Sequence, residues 1–134
     1  MGRTATILAM ATLMVVLSAA AALAAAPVLT GTNGEDWLKG TKQAEEIRGL
    51  GGDDEIVDGL GTDTVYGGVG ADNLIGYGGD TSVDHFHGGS GRDIIQPGDI
   101  PAVQDYVGCG SGVDHVYVDK ADIVSGNCEK VSIR

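Results

Sequence analysis

The chain is predicted to fold as an all-β, right-handed parallel β-roll, a solenoid of short strands, and three observations carry that expectation. A nine-residue phrase recurs from Gly31 to Gln96, its eighth place is always apolar, and glycine and aspartate hold fixed places between. The cleanest copies are Gly67-Gly68-Val69-Gly70-Ala71-Asp72-Asn73-Leu74-Ile75 and Gly88-Gly89-Ser90-Gly91-Arg92-Asp93-Ile94-Ile95-Gln96. A short period of this kind marks an array in which each copy buries its apolar side only by stacking on its neighbours.

With Gly31 as place one, copies run 31–39, 40–48, 49–57, 58–66 and 67–75 without slippage. A sixth, 76–87, carries three extra residues around Asp80-Thr81-Ser82, and a seventh, 88–96, returns to length. The frame then loosens through 97–108 and 109–117. The eighth place still reads Leu29, Leu38, Ile47, Ile56, Val65, Leu74, Phe86, Ile95, Val107, Val116 and, after a shortened copy, Val124. This ladder is the expected core. Places seven to nine suffice for a three-residue strand whose eighth side chain points in while the seventh and ninth point out. Places one to six form the turn, where glycine at place four is expected to supply a positive φ. Strand, turn, strand, turn winds two parallel sheets with two copies per coil, so copies 18 residues apart stack along one edge.

That stacking suggests a ligand. Calcium takes about six to eight oxygens, glycine-rich turns leave carbonyls unobstructed, and aspartate at place six adds a carboxylate; a nonapeptide of this form is a recognised calcium-binding repeat. One edge carries Asp36, Asp54, Asp72, Asp93 and Asp114 at place six, and the other Glu45, Asp63, Asp84, Asp105 and Asp122. The first edge keeps glycine at place four throughout (Gly34, Gly52, Gly70, Gly91, Gly112) and is expected to hold about three or four ions. The second is interrupted by Gln43 and by stretched copies, so that about one or two ions around Asp63 and Asp84 is the most expected there. With the second edge counted below that ceiling, the whole chain is expected to bind about three to five calcium ions. Simple Asx-type turns would also use aspartate, but they do not require glycine at place four beside it.

Residues 1–25 read as a secretory leader: Arg3, an apolar run from Ile7 to Leu17, and small residues up to Ala24 and Ala25, where cleavage is expected. An uncleaved membrane anchor is the alternative, because the apolar stretch is almost long enough to span. The remainder divides into repeats over 26–117 and a C-terminal cap over 118–134. After cleavage, seven basic residues face 19 acidic ones. Such a chain repels nucleic acid and anionic membranes, and no membrane span is expected once the leader is gone. High charge and abundant glycine also favour disorder when no ligand is present.

The phased glycines, aspartates and apolar residues resemble the repeat-in-toxin (RTX), or hemolysin-type, calcium-binding family, over roughly residues 29 to 117. The resemblance implies calcium held in the turns by place-six carboxylates and turn carbonyls. Here that means Asp36, Asp54, Asp63, Asp72, Asp84, Asp93 and Asp114, with carbonyls at Gly31, Asn33, Gly49, Gly51, Gly67, Val69, Gly88 and Ser90. Better-known members are toxins and proteases exported through a C-terminal signal. This chain departs from them in its N-terminal leader and in lacking a catalytic or pore-forming domain, so toxin activity is not implied. The segment from Asp105 to Arg134 looks like the end of some small secreted members. Cys109 and Cys128 there are expected to form a disulfide that caps the last coil, the alternative being a reactive or metal-binding pair.

His85 and His87 both face outward on one strand and could share a transition metal, but further ligands are needed and His115 falls on the opposite sheet. Asp80 is a candidate extra oxygen ligand. No catalytic constellation or phosphate loop is recognisable, so the chain is not expected to be an enzyme. Two roles remain: a secreted, extracellular calcium-folded module, structural or adhesive, whose partner is a cell-wall or matrix component; or an accessory folding or docking module of a secreted enzyme system, whose partner is a secreted protein.

Overall fold

The strands come in pairs, one pair per coil, because each nonapeptide contributes one extended stretch and one turn. The computed structural model describes residues 25–98 and 102–134; the expected leader lies outside the described residues except for its last residue. In chain order the strands are β1 (Val28–Thr30), β2 (Trp37–Lys39), β3 (Glu46–Gly51), β4 (Glu55–Val57), β5 (Thr64–Val69) and β6 (Asn73–Ile75). They continue as β7 (His85–Gly91), β8 (Ile94–Gln96), β9 (Tyr106–Gly112), β10 (His115–Val118), β11 (Ile123–Val124) and β12 (Lys130–Ile133). Odd strands form one sheet in the order β1-β3-β5-β7-β9-β11, and even strands form the other, β2-β4-β6-β8-β10-β12. Every pairing is parallel. The chain is therefore a parallel β-solenoid of two sheets, as its period predicts.

Register follows the eighth place. Leu29 lies opposite Ile47, Ile47 opposite Val65, Val65 opposite Phe86 and Phe86 opposite Val107 in the first sheet. Leu38, Ile56, Leu74, Ile95 and Val116 align the same way in the second. From Leu38 to Val116 these residues are buried, with Leu29 and Val124 partly buried at the ends. The three-residue insertion around Asp80 leaves the register intact, with Val65 opposite Phe86, and the stretched copy that follows still places Phe86 opposite Val107. Among the described residues no helix is long and apolar enough to cross a membrane.

Strand length differs between the sheets. Even strands up to β8 have three residues, as places seven to nine allow, but β3, β5, β7 and β9 run on for six or seven into the following turn. Pairing continues there, Leu50 with Gly68 and Gly68 with Gly89, because glycine lets successive turn backbones approach closely. A Cβ at Gly89 would collide with the Gly68 carbonyl.

The turn conformation needs two correct residues where the sequence suggested one. Place four takes positive φ at Gly52, Gly61, Gly70, Gly79, Gly91 and Gly112, although not at Gly34. Place two does so at Gly59, Gly68, Gly89, Gly98 and Gly110, though not at Thr32, Thr41 or Tyr77, and there Leu50 occupies φ 80°, the one positive-φ residue other than glycine among those described. After Val118 the chain adds a strand to each sheet, and the Cys109–Cys128 disulfide ties this last coil to the one before it.

Candidate metal centre

Aspartate at place six ends each turn and begins each strand, so its backbone N–H is bound to face the next coil. What accepts it is the next coil's place-six side chain. Along the first edge the N–H groups of Asp36, Asp54 and Asp72 donate to Oδ1 of Asp54, Asp72 and Asp93 at 2.9 Å, and Asp93 donates to Asp114 Oδ1 at 2.8 Å. Glu129 closes the row, its Oε2 accepting from Asp114 N–H at 3.0 Å. The second edge repeats the pattern through Glu45, Asp63, Asp84, Asp105 and Asp122. One oxygen of each carboxylate is thereby fixed, which aims the other.

That second oxygen is the chemical point of the fold. Oδ2 of Asp54, Asp63, Asp72, Asp93 and Asp114 is buried and has no hydrogen-bond partner. An unpaired buried carboxylate oxygen is costly, so a run of them at one place in the repeat must take up either protons or a cation. The turn glycines add carbonyls at the same spot. A Cβ placed on Gly67 would lie 2.5 Å from both Asp72 Oδ2 and the Gly88 carbonyl; on Gly88 it would lie 2.5 Å from Asp93 Oδ2 and the Cys109 carbonyl. Each cradle thus combines a carboxylate from one turn with a carbonyl from the next, hard oxygen donors suited to calcium. Burial pushes Asp72 and Asp93 up to about 6, and the neighbouring place-six carboxylates add to the shift.

The first coil behaves differently. Asp36 Oδ2 accepts from both the N–H and the hydroxyl of Thr32, at 2.6 and 2.9 Å, and Glu45 is held the same way by Thr41. These two carboxylates close their own turns, because threonine rather than glycine stands at place two.

On the second edge, Asp58, Asp63 and Asp84 bring one oxygen each to within 4.8 Å of one another. Burial is the main cause that pushes Asp58 up to about 8, Asp63 to about 7 and Asp84 to about 6, with neighbouring carboxylates adding to it. Asp80, in the insertion, is saturated instead: Oδ1 accepts from Thr81 and Ser82 N–H, and Oδ2 from Gly61 N–H at 2.9 Å. It pins the insertion to the preceding coil.

The family model for the RTX calcium-binding nonapeptide repeat, in four copies, matches residues 30–57, 48–83 and 78–99. The chain belongs to this RTX family. No curated protein and no solved structure gave a match. Calcium binding by the repeats of this RTX chain agrees with the oxygen cradles described above.

Within the RTX coil the expected carbonyls divide. Those of Gly49, Gly67 and Gly88 face the carboxylates of Asp36, Asp54 and Asp72. Those of Val69 and Ser90 already accept backbone N–H groups from Gly52 and Gly70, each at 2.9 Å. His85 and His87 do face outward, where they stack on Tyr106 and Tyr66 at 4.7 and 4.8 Å between ring centroids. Asp58, Glu129 and the Cys109 carbonyl escaped sequence reasoning. Asp58 left a signal, since aspartate there replaces place-one glycine in an otherwise regular copy.

Proposed function

We propose that the protein is a secreted, non-catalytic calcium-folded module with a structural or adhesive role outside the cell. In this reading 1–25 is a removed leader, 26–117 the calcium-binding coil and 118–134 its cap. The observation that carries it is the row of buried, unpartnered Oδ2 atoms at Asp54, Asp72, Asp93 and Asp114, each set by a backbone hydrogen bond on its other oxygen. Those carboxylates, with the turn carbonyls beside them, would hold the ions; calcium supplies the positive charge that lets the edge remain buried and ionised. The Cys109–Cys128 disulfide supports an oxidising destination.

Native mass spectrometry in calcium, counting ions on the mature chain, tests the binding. About three to five per chain is the expected result, and none would overturn it. For the role, a calcium-dependent pull-down against cell-wall material and secreted proteins is decisive: wall retention is expected, whereas one stoichiometric enzyme partner would replace the adhesive role by an accessory one.

A further inference from the structure

The second edge holds one feature that the nonapeptide pattern does not contain. Place one is the point from which a Cβ projects toward the carboxylate of its own turn. At Gly67 it would come 2.5 Å from Asp72 Oδ2, and at Gly40 it would come 2.7 Å from Glu45 Oε2. In the fourth copy that place is Asp58, so a whole carboxylate extends where Gly31, Gly40, Gly49, Gly67, Gly76 and Gly88 carry only a hydrogen atom. Asp58 and Asp63 are fully buried and Asp84 is 2% exposed. Asp58 Oδ1 accepts from Gly59 and Tyr77 N–H at 2.6 and 2.7 Å, and Asp63 and Asp84 each fix one oxygen on the coil before them. The remaining oxygens of Asp58 and Asp63 are buried without a partner. All three residues offer an oxygen within 4.8 Å of the others.

We infer that Asp58, Asp63 and Asp84 form a single three-carboxylate cation site, suited to calcium or a trivalent lanthanide and tighter than the one-carboxylate cradles of the first edge. Ligand charge count is the lever that sets affinity among calcium sites of similar oxygen number. The three-residue insertion before Asp84, pinned through Asp80 to Gly61, holds the third carboxylate in place. The inference rests on the proposed calcium-folded coil but assigns its tightest ion to the edge with the less regular repeats.

Calorimetric calcium titration of the full chain, in wild type, Asp58→Asn and Asp58→Gly, tests it. Asp58→Gly restores the residue found at Gly40, Gly49 and Gly67. The wild type is expected to show one tight ion per chain ahead of a weaker class, and both variants to weaken that ion by about tenfold or more while keeping the weaker class. An unchanged tight class in Asp58→Asn overturns the site, as three carboxylates sharing protons would give. A wild type that binds no calcium sinks the proposed function as well, whereas one with only a weak class, matched by Asp58→Asn, sinks this site alone.

Discussion

Asp72→Asn separates the two jobs of a place-six carboxylate. Its Oδ1 accepts the Asp54 N–H at 2.9 Å, a bond that asparagine keeps, while its buried Oδ2 faces the Gly88 carbonyl and becomes an amide that repels a cation. An ion bound with a Kd of about 0.1 mM, at about 2 mM external calcium, contributes roughly 1.8 kcal/mol by mass action. Asp72 lies between two stacked turns, so losing one or two ions costs about 2–4 kcal/mol. The assay is urea unfolding followed by circular dichroism in calcium, with Asp53→Asn as control. Asp53 is exposed and bonds only the neighbouring coil through Ala71 N–H, so its loss costs about 0–1 kcal/mol. Equal losses in the two variants would refute the cation role of Oδ2.

Asp105→Asn is expected to cost less than Asp72→Asn in the same assay, because the turn before it begins with Pro97 and is stretched; an equal or larger cost would remove the distinction between the edges. Leu50→Gly is expected to stabilise the calcium form by about 1 kcal/mol by relieving a left-handed leucine, and a lower unfolding midpoint would contradict this. Replacing Cys109 and Cys128 by serine opens a 19-residue separation and is expected to cost roughly 3 kcal/mol, measured by urea unfolding in calcium. For pH, Asp58, Asp63, Asp72, Asp84 and Asp93 titrate higher when folded than unfolded, so the metal-free fold binds more protons than the unfolded chain. Their contribution is present below about 4 and lost as pH rises from about 6 to about 8. Chelated protein should therefore show more β signal at pH 5 than at pH 8, while the calcium midpoint falls over that interval; a chelated signal that rises with pH would contradict the sign.

The ladder from Leu38 to Val116 was legible because a period of nine leaves one apolar place per strand, and insertions cannot move it without unpairing a sheet. Place-six aspartates were legible for the same reason. What escaped depended on contacts between coils. The long strands β5 and β7 arise because Gly68 and Gly89 let turns stack, which no single copy reveals. Thr32 and Thr41 capture Asp36 and Glu45 by local hydrogen bonds that compete with an ion, and threonine at place two was the missed cue. Asp58 looked like a worn copy of the repeat, yet its depth in the coil turns that departure into chemistry. Glu129 supplies a place-six carboxylate after a shortened coil, where the period no longer predicts one.

The central claim is that the buried carboxylate row requires calcium for the coil to form. Circular dichroism of the mature chain in chelator, followed by calcium addition at neutral pH, measures it directly. The account predicts little β signal in chelator and its cooperative return with calcium; the same spectrum and the same melting temperature in both states would contradict it.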